Sequence, residues 1–330
     1  MSKIVKEQIY ITQSNMHILN NAAGKAVFSN NTIVHGSDYN DFLRGHIFRL
    51  FSDDSVKLTS FISGSLVKEV LDGYEPDKFV SVSKRLAGML YGIMEDNIDI
   101  PPADLIIAEF SLDQTIYLAL LKLNYKGTYG HVADEGEVDI LMHSDMIPQS
   151  GKLKEAAVID LSSGLVRVAE KAYEIDGEKE NYFSERFLMC RDEKSDTAKI
   201  RILNRILDYV QTERDKDTPQ EALRVKDAAA RYLEENGQIS FKDAADIFFE
   251  DESEKASVNE LVDRLDIGNE VIAPVSDATV KKLTTQEFVT ESGIRIIVPL
   301  LDDRNKDNIQ FSYDNGGSVI IKNIGSLITK

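Results

Sequence analysis

Cysteine is nearly absent: Cys190 is the only one in 330 residues. An internal disulfide is excluded, which fits a reducing compartment, and with no clustered histidine Cys190 reads as a buried structural thiol rather than a nucleophile. No apolar run approaches the roughly 20 residues needed to cross a bilayer. The amino-terminal MSKIVKEQIY carries no apolar signal region, so nothing directs the chain out of the cytoplasm. Cations are scarce as well, with 38 Lys and Arg against 56 Asp and Glu and a formal charge of −18. A protein that coats DNA gains affinity by neutralising phosphates, so this charge argues against indiscriminate DNA binding unless the few cations gather on one face.

Catalytic signatures are also missing. No G-x-G-x-x-G follows a strand, no G-x-x-x-x-G-K-[ST] cradles phosphate, and neither H-E-x-x-H nor paired C-x-x-C occurs. Ser81 and Lys84 match S-x-x-K without the K-T-G element that would give the match meaning. His46 lies beside an apolar helix face with no second histidine at metal spacing, and is expected to be a satisfied core or boundary side chain. Glu109, Asp139 and Asp160 are the carboxylates that a Mg²⁺-dependent nuclease would gather on one sheet, but no E-x-K lysine follows an acidic pair. No metal and no cofactor are expected.

What the sequence does have is concentrated between Ala103 and His131. Leu105–Phe110 and Thr115–Asn124 are short runs rich in Ile, Leu and aromatics, read as two strands joined by a polar turn at Ser111–Gln114. In the second run Leu118, Leu120 and Lys122 alternate with Ala119, Leu121 and Leu123, so both faces are apolar and the pair should be central. Beyond it Lys122, Tyr125, Lys126, Tyr129 and His131 interleave cations with rings, the stretch best suited to meeting an anion. The loop Gln149–Lys154 brings Lys152 and Lys154 near the same sheet, and Lys84 and Arg85 face outward from a helix expected over Asp77–Met94.

Around this centre, short strands are expected at Ile4–Ser14, Met16–Leu19 and Ala26–Phe28, and helices at Asp38–Phe51, capped by Asp38 with Asp41, and at Ser60–Leu71. Val138–Met142, Ala156–Leu161 and Leu165–Tyr173 read as further strands, giving an antiparallel sheet with helices on one face. The polar stretch 191–199 sets a boundary between an α+β sheet domain, 1–190, and a mainly helical domain with C-terminal strands, 191–330. In the second domain Thr218, Pro219 and Glu221 supply a cap, an N1 proline and a capping-box partner for a helix ending at Gly237. Helices over Phe241–Phe249 and Val258–Leu265, the latter capped by Ser257, would make a helix-turn-helix reader conceivable. The connection Glu250–Glu254 is anionic and suits a solvated surface better. The chain closes on strands at Ile294–Leu300, Ile309–Tyr313 and Val319–Lys322, the last two forming a hairpin through Asp314–Gly317.

The run FVSVSKRLAGMLYGIMEDNIDIPPADLIIAEF (79–110), LALLKLNYKGTYGH (118–131), KLKEAAVIDL (152–161) and the closing IRIIVPL with its Asn315-Gly316 turn resemble the bacterial nucleoid-associated protein family of the NdpA type, the 37-kDa nucleoid-associated proteins. The likeness covers nearly the whole chain; its order and spacing, rather than any single motif, carry it. The family's K-L-[DN]-Y-K-x…-H pattern falls on Lys122, Leu123, Asn124, Tyr125, Lys126 and His131, and its K-L-x-E-A-A pattern on Lys152, Leu153, Glu155, Ala156 and Ala157. The resemblance implies a non-enzymatic protein of the bacterial nucleoid without a cofactor. Its partners are then nucleoid DNA or a DNA-bound protein, with no membrane and no evident small-molecule substrate, and self-association stays open. DNA would be met by Lys122, Tyr125, Lys126, Tyr129 and His131, helped by Lys152, Lys154, Lys84 and Arg85. The alternatives are an acidic adaptor or DNA mimic that never touches DNA and, further off, the metal-dependent nuclease.

Overall fold

The computed structural model describes residues 4–134, 137–146, 151–175, 177–213, 218–302, 308–312 and 318–322. The chain forms two compact units, residues 1–195 and 196–330. It is mixed α+β.

The first unit is built on a seven-stranded sheet in which every neighbouring pair is antiparallel. Its strands are β1 (Tyr10–Asn20), β2 (Lys25–Phe28), β3 (Lys57–Ser60), β4 (Ala103–Leu112), β5 (Thr115–Asn124), β8 (Glu155–Asp160) and β9 (Leu165–Ala169), ordered β2-β1-β4-β5-β8-β9-β3. Between β5 and β8 the chain makes a separate ribbon, β6 (Lys126–Asp134) with β7 (Glu137–Met146). A small pair, β10 (Tyr173–Ile175) and β11 (Glu178–Glu180), follows β9. The helices are α1 (Ser37–Ser52), α2 (Leu66–Leu71) and α3 (Phe79–Asp96), with a π-helical turn at Phe183–Leu188.

The β4–β5 pair is central, as its apolar runs require. The turn between them is only Asp113 and Gln114, both at positive φ (48° and 68°), which matches the twist of a tight hairpin without glycine. Alternation splits the pair between two cores. Leu105, Ile107, Leu118 and Leu120 pack with Ala157, Ile159, Val166 and Val168 under Val82, Leu86 and Leu90 of α3. Ile106, Ala108, Phe110, Ala119, Leu121 and Leu123 pack with Ala156 and Val158 against Leu43, Ile47, Leu50 and Phe51 of α1. Helices therefore cover both faces, not one: strands with apolar residues on both sides leave neither face fit for water.

Several expected boundaries move. Ile4–Leu19 is not two short strands but a 3₁₀ turn at Lys6–Gln8 followed by the continuous β1, kinked by a register shift between Ile11 and Gln13. Helix α1 begins after Gly36 with no side-chain cap, so Asp38 and Asp41 do not cap it. Ser60 ends β3, and α2 starts six residues later behind Ser65, whose side chain accepts from Lys68 N–H.

The second unit contains α4 (Asp196–Glu213), α5 (Pro219–Asn236), α6 (Ala244–Phe248), α7 (Glu252–Arg264) and α8 (Asp277–Leu283). It also contains the strand pairs β12 (Ile239–Ser240) with β13 (Val271–Ile272), β14 (Thr285–Val289) with β15 (Arg295–Pro299), and β16 (Ile309–Ser312) with β17 (Ser318–Ile321). Leu203, Ile206, Leu207 and Val210 meet Val225, Ala229, Leu233, Phe248, Val258 and Leu261 in its core. Thr218 accepts from Glu221 N–H, Pro219 opens α5 and Gly237 ends it at φ 71°, each as read from sequence. The closing hairpin is present, while the residues of its turn, Asp314–Gly317, lie outside those described.

Helix α7 starts six residues earlier than expected and is capped by Asp251, which accepts from Ser253 and Glu254 N–H, rather than by Ser257. Within the anionic run Glu250, Asp251 and Glu252 are exposed but Glu254 is buried, so the run is a helix start and not wholly a solvated link.

Among the described residues of the first unit, His17 and His46 are buried. His17 accepts from Ser29 N–H through Nδ1. His46 packs edge-on against Phe42, and neither of its ring nitrogens has a partner among the described residues, so it is not the satisfied side chain expected. Burial pushes both down to about 4, helped by Lys84 near His17 and Arg49 near His46. The folded state thus holds fewer protons than the unfolded chain between about 4 and 6.5, and stability is full above that window and lost as pH falls through it. The melting temperature should drop from pH 7 to pH 5, and His46→Leu should drop less over the same range. Parallel curves for the two proteins would show that His46 does not contribute.

Candidate nucleic-acid interface

The cations expected to meet an anion are organised by one cross-strand position. β5 and β8 pair with Lys122 opposite Glu155, on the face that lies under α3, and both side chains are fully buried. Lys122 Nζ stands 3.4 Å from Glu155 Oε1 and donates to Asn124 Oδ1 (2.6 Å) and to the Pro101 carbonyl (3.1 Å). Asn124 Nδ2 donates to Glu155 Oε2 at 2.9 Å, and Tyr182 OH to Oε1 at 3.3 Å. Desolvation pulls Lys122 down to about 8, opposed by the charge and hydrogen bond of Glu155. Burial, and then Glu155, raise the Tyr173 and Tyr182 phenols far above their ordinary value, so both stay protonated donors.

Above this network opens a cleft of about 160 Å³ lined by Lys122, Asn124, Tyr125, Lys126, Lys152, Leu153 and Lys154. Five of the nine residues singled out in the sequence therefore meet, with different roles. Lys122 lies at the floor of the cleft, its side chain fully buried and paired with Glu155. Tyr125 is half-buried, its hydroxyl donating to Asp104 Oδ1 at 2.8 Å. Lys152 is exposed but ion-paired to Asp53 Oδ2 at 2.7 Å and hydrogen-bonded to Ser55. Lys126 and Lys154 are exposed, with no ion pair among the described residues.

Lys84 and Arg85, on α3, do not line the cleft; Lys84 Nζ donates instead to Asn30 Oδ1 at 2.6 Å. Tyr129 and His131 belong to β6 by backbone, and their side chains lie outside those described. Sequence reading missed Glu155 and Asn124 as the groups that take up Lys122. Both stood in the quoted patterns, but only the β5–β8 register brings Glu155 to Lys122.

The carboxylates weighed for Mg²⁺ do not gather. Glu109 lies opposite Leu118, on the α3 face, and is bound by Thr12 Oγ1 (2.5 Å), Tyr74 OH and Gln13 Nε2 (3.3 Å). Asp160 lies opposite Tyr117, on the α1 face, where it accepts from the Ser162 and Ser163 backbone at the following turn. The two point to opposite sides of the sheet and cannot share an ion. Asp139 is on β7, its side chain outside those described. Among the described residues no group of three His, Cys, Asp or Glu is placed to hold a metal, and no helix is long and apolar enough to cross a membrane.

An acidic α+β protein with a small lysine-lined cleft is the class that the fold defines. Its sequence matches the family described as nucleoid-associated protein YejK over residues 16–328, and the chain belongs to that family. Membership carries with it a nucleoid-associated role and a place on the bacterial nucleoid, in the cytoplasm. No curated protein matches the chain.

The buried pair sets a thermodynamic test. Lys122→Met should destabilise the protein by about 3–5 kcal/mol, because Glu155 is left charged and uncompensated. Lys122→Met with Glu155→Leu should recover much of that loss in urea unfolding. A double variant as unstable as the sum of the two single variants would mean that the groups are not coupled.

Proposed function

We propose that the chain works on the nucleoid without catalysis of its own, touching the DNA backbone through the rim of the lysine cleft. The observation that carries this reading is the convergence of Lys126, Lys152 and Lys154 around Tyr125 on a body of charge −18. Lys126 and Lys154 would meet adjacent phosphates, Lys152 would do so by exchanging its pair with Asp53, and the Tyr125 ring would give the sugar or an unpaired base an apolar wall. A cleft of this size takes a phosphate and its sugar, not a duplex groove, so contact would be to the backbone and indifferent to sequence. Tyr129 and His131 would extend the contact along β6, while Lys84 and Arg85 stand apart from it.

A second reading, docking on a DNA-bound protein, is favoured by the exposed acids at the start of α7, Glu250, Asp251 and Glu252, a surface for a basic partner rather than for phosphate. The same surface would serve the DNA-mimic alternative.

Gel retardation of duplex DNA over a range of salt separates these readings. Direct contact predicts binding that weakens with salt. Lys126→Glu with Lys154→Glu should cut the affinity and lower the salt slope by about two, because each neutralised phosphate contributes about 0.9 to it. No shift for the wild type, or one that both substitutions leave unchanged, would remove the cleft and leave docking, which crosslinking in cells to a DNA-bound protein would then have to reveal.

A further inference from the structure

The ribbon β6–β7 leaves β5 after a single residue, Tyr125, and among the described residues neither strand pairs with a third. A two-stranded ribbon is marginal alone, and an unpaired edge is a template for another strand. The register of the ribbon puts Tyr129 opposite Met142, His131 opposite Ile140 and Ala133 opposite Val138. Charge runs lengthwise: Asp134, Glu137 and Asp139 stand at the far end, while Lys126 stands at the root beside the cleft holding Lys154, with Asp145 the ribbon's acid at that end.

The β6 sequence, KGTYGHVAD, is complementary to itself when reversed. Laid antiparallel on a second copy and centred on Gly130, it sets Lys126 opposite Asp134 of the other chain twice over, Tyr129 opposite His131 twice, and Thr128 opposite Val132 twice, with glycine on the two-fold axis. With partners confined to β6, a shift by one or two residues to either side loses both opposite-charge pairs.

We propose that the free edge of β6 joins the same edge of a second copy, antiparallel and centred on Gly130, making a four-stranded sheet across a two-fold dimer. Opposite charges directly across a strand pair are favourable and like charges unfavourable, which fixes both the partner and the register. Each residue of one strand then meets its counterpart on the symmetry mate, as a closed two-fold interface demands. The inference does not depend on DNA being the ligand of the cleft.

Sedimentation of the full chain without DNA tests it. The wild type should sediment at twice the chain mass and dissociate on dilution. Lys126→Asp or Asp134→Lys, each placing like charges across both pairs, should raise the dissociation constant on the order of tenfold. Mixing those two variants in equal amounts, or combining both substitutions in one chain, restores both pairs and should restore the dimer. Gly130→Cys should crosslink across the axis on oxidation, since Cys190 is buried and the central residues of such a pair lie within disulfide reach. A wild type monomeric at all concentrations, single variants that leave the dimer intact, or no rescue on mixing would overturn the proposal. Lys154→Glu, which bears on the DNA reading alone, should leave the dimer unchanged.

Discussion

The first unit turns on a lysine buried in the middle of its sheet. Lys122 follows four consecutive buried apolar residues of β5 and would be intolerable there by itself, since an unpaired ammonium away from water costs several kcal/mol. Glu155 compensates it only if β5 and β8 pair in the observed register, because a slip of one residue would move the carboxylate to the α1 face and leave the ammonium alone. Asn124 binds both members, and Tyr182, carried on the segment entering the π-helical turn, closes the remaining side. A central strand pairing, a loop carbonyl at Pro101 and a distant aromatic segment are thus held to one arrangement by one charge. The network also ends the core: Leu118–Leu121 are apolar and buried on both faces of β5, and beyond Lys122 the sheet opens into the lysine cleft.

Much of this was legible in the sequence where local chemistry decides. The β4–β5 pair announced itself by runs with apolar residues on both faces, and α5 by Thr218, Pro219 and Gly237, because caps and hairpin strands are fixed by residues within a few places of one another. Helices on both faces followed from the same runs, and the expectation of one covered face failed by leaning on topology instead of on them. The start of α7 was misplaced because Asp251 and Ser257 are equally good caps on paper; the core packing of Val258 and Leu261 allows either, and the cap is Asp251, which takes two backbone N–H groups, those of Ser253 and Glu254.

The candidate site divides along the same line. Spacing correctly put Lys122 on the face of Leu118 and Leu120, yet periodicity tells which face a residue takes, not whether that face is still covered where the residue stands. Coverage is a property of α3 and of Tyr182, more than twenty residues away on either side. Lys126, Lys152 and Lys154 were gathered from sequence on nothing firmer than charge, and their meeting depends on the chain returning from the ribbon to start β8 beside the end of β5. The nuclease carboxylates were separated by the same parity that set Lys122 against Glu155: Glu109 and Asp160 fall on alternate faces because their partners Leu118 and Tyr117 are adjacent residues of β5.

The scarcity of free cations then bears on how such a chain could hold DNA. One copy's cleft offers two lysines without an ion pair among the described residues, and non-specific affinity grows with the number of phosphates neutralised, so a single cleft would bind weakly against the repulsion of the remaining body. Two copies joined through β6 would carry two clefts whose roots lie eight strand residues apart, about 27 Å at the rise of an antiparallel strand. Both could then rest on one duplex, the second contact made at the high local concentration that the first creates. Pairing with Asp134 would draw on Lys126 at each root, leaving Lys152 and Lys154 as the cations most open to phosphate. The rigid placement of the clefts by the Lys122–Glu155 network, rather than the total charge, would then set whether a strongly acidic protein stays on the chromosome.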